Sequence, residues 1–113
     1  MLIRLDALFE GVLGIVLLLL TATGVLDGSD FPYPVGTVVL LIAGWALLTL
    51  CGLIWSGHIG LRELAIGNAL TAVAGLVWLI AADGWSVAGA AVVGVTVAVL
   101  AVLAAAQAAT LRA

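Results

Sequence analysis

The hydrophobic positions of this chain fall into four long runs, each separated from the next by a few polar and turn-forming residues. The runs cover Leu5–Gly24, Val35–Trp55, Leu61–Ala82 and Val87–Thr110. Each reaches the roughly 20 apolar residues that a helix needs to cross the hydrocarbon core of a bilayer. Helices are expected because lipid cannot satisfy exposed backbone groups, and four strands are too few to close a barrel. The breaks carry ordinary turn chemistry. Asp27-Gly28 and Phe31-Pro32-Tyr33-Pro34 make the first, with Pro34 opening the second helix at a position where its missing N–H is not needed. Ser56-Gly57 begins the second, and Asp83-Gly84 makes the third, with Ser86 as N-cap of the last helix. The pattern predicts an all-α, four-transmembrane-helix bundle with short loops, one integral membrane domain over residues 1–113.

Composition supports lipid as the solvent. The chain is 66% hydrophobic and 8% charged, against about 45–50% and about 25% in a soluble domain. A soluble fold of 113 residues has too much surface for its volume to hide so many apolar groups. The basic residues are Arg4, Arg62 and Arg112 alone, with no Lys, which excludes nucleic acid as a partner. All three fall on one side of a four-span bundle, whereas Asp27, Asp30 and Asp83 fall on the other. The positive-inside rule then makes both termini cytoplasmic, N-in/C-in, in a multi-pass protein of the cell membrane. Phe31, Tyr33 and Trp85 belong at the outer interface and Trp55 at the inner one. The first run reads as a retained helix, because Asp6 and Glu10 are atypical of a signal peptide and Thr21-Ala22-Thr23 is a poor cleavage site.

The third run is the one around which the rest is organised. It carries the only Asn of the chain, Asn68, and small residues at four-residue steps: Gly67, Thr71 and Gly75. The fourth run repeats the device with Ala90, Gly94 and Ala98. The first offers Ala7, Gly11 and Gly14, and the second Gly36, Gly44 and Gly52. Such ladders let helix backbones approach closely in lipid, either within one bundle or between two copies of the chain.

Polar groups inside the runs cluster near one end. Glu10 lies six residues past Arg4, Asn68 six past Arg62, and Gln107 five before Arg112. That puts them roughly 8–9 Å in from the cytoplasmic side at about 1.5 Å per residue. Asp6 shares a helix face with Glu10, one turn nearer the surface. A carboxylate in a membrane normally faces the bundle and finds a partner. Here the candidates are Arg62 and the amides of Asn68 and Gln107. The belt Asp6, Glu10, Arg62, Asn68 and Gln107 is thus the candidate binding site. It is a hydrogen-bonded clamp on the first, third and fourth spans, or Asp6 and Glu10 snorkel into the headgroups without touching Asn68, or it is a proton- or cation-responsive site built on Glu10.

Other chemistry is not expected. His58 has no second His or Cys near it, so no metal site is predicted. Cys51 is single and sits in an apolar run as a small packing residue. Thr21, Thr49, Thr71 and Thr96 can bond to their own helix backbones. Ser56 and His58 fall on the opposite side from Asp27, Asp30 and Asp83, which rules out a catalytic triad. No phosphate-binding glycine motif is present. No catalytic residue and no cofactor are predicted.

Two resemblances follow from these residues. Leu5-Asp6-Ala7 with Gly11 and Gly14, Pro34 at the second span, Arg62 with Gly67-Asn68, and Gln107-Ala108 resemble uncharacterised bacterial small integral membrane proteins with four spans. The chain departs from them in having Thr71 where an aromatic often follows the Asn. That resemblance implies the fold and the bacterial inner membrane, and marks Asn68 and Gln107 as positions of interest. The length, the four spans and Glu10 in the first are similar to the small multidrug resistance transporters, where such a glutamate binds proton and substrate. Ile54-Trp55-Ser56-Gly57 also resembles a segment of those proteins, but there it lies in the third span, and their substrate-lining aromatics are missing here except for Trp78. The expected function is a non-enzymatic accessory or scaffold subunit that packs with itself or with another membrane protein. The alternative is a proton- or cation-coupled small transporter acting as a homodimer through Glu10.

Overall fold

A computed structural model describes residues 2–32 and 36–112. Four helices follow one another: α1 (Leu2–Ala22), α2 (Thr37–Trp55), α3 (Leu61–Ala81) and α4 (Val87–Arg112), with a 3-10 turn at Gly28–Asp30 between the first two. All four are long and apolar enough to cross a membrane. Tyr33, Pro34 and Val35, and with them the expected opening of the second helix at Pro34, lie outside the described residues. The third and fourth spans begin at the expected residues. The first begins at Leu2, three residues before the expected Leu5, because helical bonding continues through Arg4. Arg4 lies over the ring of Trp55, 5.2 Å from its centroid, a cation–π contact that ties the start of α1 to the end of α2.

The helix ends are set by local chemistry. After α2, Gly57 adopts a φ of +85°, which only a residue without Cβ enters freely. Its N–H bonds the Ile54 carbonyl and the N–H of His58 bonds that of Leu53, closing the last turn of α2 as a Schellman motif. At α4, the Ser86 hydroxyl accepts the Gly89 N–H at 3.0 Å, so Ser86 is the N-cap.

The bundle is built from two hairpins. α1 packs along α2 and α3 along α4, whereas the contacts of α1 with α3 and α4 are thin, and α2 meets the second hairpin through the side chains of two shared cores rather than along its length. Within the first hairpin the backbones come close. A Cβ on Gly14 would stand 2.9 Å from the Gly44 carbonyl oxygen, and one on Gly11 would stand 2.9 Å from Cys51 Sγ. In the second hairpin only Gly75 of the α3 ladder is closed off, against Val97. Gly67 and Gly94 face open space, where an added Cβ would meet nothing within 4 Å, and Thr71 and Ala98 are exposed while Ala90 is half-buried. Close backbone approach in this chain therefore rests mainly on α1 and α2.

Two separate cores sit at the two ends. One gathers Ala7, Ile54 and Leu64, with Ile3, Cys51 and Ile59 beside them. The other gathers Leu17, Leu26, Phe31 and Leu40, flanked by Trp78 and Trp85. α1 supplies more of the interior than any other helix, burying Asp6, Ala7, Glu10, Gly11, Gly14, Leu17 and Thr21 along one stripe. α2 buries Leu40, Gly44 and Ile54, half-buries Ala43, Leu47 and Cys51 against the cores, and turns its other face outward.

Candidate functional site

The polar groups of three helices meet near the ends that carry Arg4, Arg62 and Arg112. Asp6 Oδ2 accepts a hydrogen bond from Asn68 Nδ2 at 2.5 Å and one from Gln107 Nε2 at 2.8 Å. The Asn68 amide also donates to Gln107 Oε1 at 3.1 Å. The result is a closed ring of three bonds joining α1, α3 and α4. Because a carboxylate only accepts, both amides must turn their nitrogens toward it. Asp6 and Gln107 are fully buried and Asn68 nearly so. Asp6 Oδ1, on the far side of the same carboxylate, is buried with no partner.

Two members of the expected belt stand outside this ring. Arg62 is exposed at the start of α3 and takes no part in it. Glu10 is buried, one turn along α1 from Asp6, and no hydrogen bond reaches it from the described residues. The expectation built the belt on Glu10 with Arg62 and the amides of Asn68 and Gln107 as candidate partners, but the two amides bond Asp6 instead. Starting α1 three residues early shifts the depth of every α1 residue by about 4.5 Å. Asp6 then lies about 6 Å from the helix start, level with Gln107 at about 7.5 Å from the end of α4, and Glu10 lies about 12 Å in.

The opposite end is held by a second polar contact that sequence reasoning missed. Asp30 Oδ1 accepts the Ser86 hydroxyl proton at 2.5 Å, and the Asp30 carbonyl accepts the Ser86 N–H at 3.1 Å. The first loop is thereby latched to the cap of α4, and the carboxylate stands where a helix N-terminus favours negative charge. Gly89 makes the approach possible, since a Cβ there would collide with the Asp30 carbonyl. The signal was present in Ser86 read as a cap, but nothing in sequence spacing joins residues 30 and 86. Beside the latch, Phe31 stacks on Trp78 at 6.4 Å between centroids, and Trp85 meets Trp78 edge-on at 4.5 Å. The Trp85 Nε1–H is buried without an acceptor among the described residues. In the same loop Asp27 Oδ1 accepts both the hydroxyl and the amide of Ser29. The hydroxyl first and the amide second hold the Asp27 carboxyl below the usual Asp range, against a smaller opposing effect of desolvation.

Between the two polar ends lies a cavity of about 680 Å³. Leu13 and Leu17 of α1 and Ala43 and Leu47 of α2 form one wall. Ala74 and Trp78 of α3, with Val93 and Leu100 of α4, form the other. A smaller space of about 290 Å³ lies on the other flank of α1 and α4, lined by Phe9, Val16, Leu20 and Val95 among others. Leu13, Leu17, Val92 and Thr96 line both spaces and form the thin partition between them. Among the described residues, no three His, Cys, Asp or Glu side chains converge as metal ligands. His58 Nδ1 pairs with the Ser56 hydroxyl at 2.7 Å in the exposed loop after α2. Compared with protein-family models, curated proteins and solved structures, the chain finds no match. What bears on the role of this four-helix membrane protein is therefore its own geometry.

Proposed function

We propose that the chain is a non-enzymatic accessory or scaffold subunit of the membrane, packing with a second copy or with another membrane protein. The observation that carries this reading is the Asp6–Asn68–Gln107 ring. Asp6, Asn68 and Gln107 bond one another across three helices, which favours a structural role for them, while α2 offers an almost wholly apolar outer surface. The same reading takes the ends bearing Arg4, Arg62 and Arg112 as cytoplasmic and the Asp30–Ser86 end as external, following the distribution of basic residues. A lipid bilayer is its medium, and both termini face the cytoplasm.

A second reading is favoured by Glu10, a buried carboxyl with no hydrogen-bond partner among the described residues, in the middle third of α1. Intramembrane carboxyls of that kind serve as proton or cation sites in transporters. Proteoliposomes containing a pH-sensitive dye separate the two readings. The accessory reading expects proton leak no faster than in protein-free vesicles, and no change with Glu10→Gln. A proton or cation flux that Glu10→Gln removes would replace it with the transporter reading.

A further inference from the structure

The large cavity between the hairpins has a chemistry that selects its occupant. Its walls come from all four helices and from Phe31. The only side-chain polar groups on its non-aromatic lining are the hydroxyls of Thr71 and Thr96, and each is turned back onto its own helix. Thr71 Oγ1 donates to the Gly67 carbonyl at 2.7 Å, and Thr96 Oγ1 to the Val92 carbonyl at 2.8 Å. Water in such a space would lack the two to four polar partners that a buried water needs.

Size narrows the choice further. The lining runs from Val39 to Leu47 on α2 and from Val92 to Leu100 on α4, about 12 Å of helix length in each case. A helix with its side chains is about 10–12 Å across, so a 12 Å stretch would fill roughly 900–1,400 Å³. A partner helix would therefore stand partly outside the cavity of about 680 Å³, against the lips of its open side. The cavity itself holds roughly twenty groups of about 30 Å³ each, and methylenes are close to that size. The length also matches most of one leaflet, whose hydrocarbon is about 15 Å deep.

The cavity has a mouth on the bilayer. α2 does not pack along the length of α3 or α4, and the lining residues on its two lips, Val39 and Ala46 on α2 and Thr71 and Ala74 on α3, are exposed. The aromatic group of Phe31, Trp78 and Trp85 stands at one end of this space. The Asp6–Asn68–Gln107 ring lies beyond the other, seven residues from Leu13 on α1 and from Leu100 on α4.

We propose that this cavity is a lipid-chain site, which takes the alkyl chains of a membrane lipid from the leaflet at the Asp30–Ser86 end through the slot between α2 and α3. The claim is independent of whether the protein acts as an accessory subunit or as a transporter.

Trp78 lines the site and serves as the reporter. The protein is purified in detergent with Trp45→Phe and Trp55→Phe, which removes the two outward-facing indoles and leaves Trp78 and Trp85. A diacyl phosphatidylcholine with brominated chains is titrated in, and in a parallel arm brominated stearic acid. The expected result is quenching that saturates at about one diacyl lipid per chain. Ala46→Phe and Ala74→Phe, made separately on the two lips, should each weaken the saturable phase at least tenfold while circular dichroism stays unchanged. Saturation by the fatty acid and not by the diacyl lipid would keep the alkyl-chain site and assign it to free fatty acid. Quenching that rises linearly with micellar bromine, or that both filled variants leave unaltered, would overturn the proposal.

Discussion

Asp6 and Glu10 occupy the same face of α1, but only Asp6 is bonded, and this difference can be measured. Asp6→Ala strips the acceptor from two buried amide donors, Asn68 Nδ2 and Gln107 Nε2. We expect it to lower stability by about 1–3 kcal/mol. Glu10→Gln removes no hydrogen bond and takes an ionisable group out of a buried position, so it should be neutral within about 0.5 kcal/mol or stabilising. Unfolding of both variants in mixed micelles, followed by circular dichroism, checks the pair. The polar belt was legible because polar residues in apolar runs are few and fall near the same ends. Which carboxylate joins the ring was not legible, because Asp6 and Glu10 lie one turn apart on the same face of α1, and the register of α1 against α3 and α4 belongs to the packed helices. The threonines, by contrast, needed only local geometry: Thr21, Thr49, Thr71 and Thr96 each bond the carbonyl four residues back, as expected. Asp27 gives a prediction in pH. Its carboxyl is held below the unfolded value of about 3.9, so its bonds to Ser29 are in place above that value and are lost as pH falls through the lower folded one. The Ser29 amide proton should shift in that acidic window by NMR, and Asp27→Asn should abolish the shift.

Among the helices, hydropathy alone located four elements, because spanning length and apolar content are properties of single segments. Pairing is a property of two segments and was less visible. Small-residue ladders occur on all four helices, yet only some are used. Gly14→Leu should force α1 away from Gly44, where even a Cβ stands 2.9 Å from the carbonyl oxygen, and lower stability by about 1–3 kcal/mol. Gly67→Ala meets nothing within 4 Å and should be neutral or stabilising by up to about 1 kcal/mol through helix propensity. Thermal unfolding of the two variants side by side checks the contrast. A destabilising Gly67→Ala would indicate that the α3 ladder is covered by another helix in the membrane.

At the scale of the molecule, two hairpins are joined at both ends and parted between. The ring at one end and the Asp30–Ser86 latch at the other are independent contacts, more than a cavity length apart. Removing both with Asp6→Ala and Ser86→Ala should release one hairpin from the other while each stays intact. Spin labels at Ile42 and Val73, on α2 and α3, should then report longer and broader distances than in either single variant. A pair placed within the α1–α2 hairpin should be unchanged. Neither the cavity nor the latch was legible in the chain, since both arise from the relative placement of two hairpins whose facing surfaces are almost wholly apolar between their polar ends.

The ring also has a consequence for how the protein is made. Asp6 and Gln107 are 101 residues apart, and a ribosome adds about 5–20 residues per second. After it emerges, the Asp6 carboxylate therefore waits roughly 5–20 s for its last donor. During that interval the first hairpin can already be in the bilayer with an acid in its wall and only water, headgroups or the insertion machinery to satisfy it. The ring can then close only once Gln107 has entered the bilayer, however early the first hairpin was inserted.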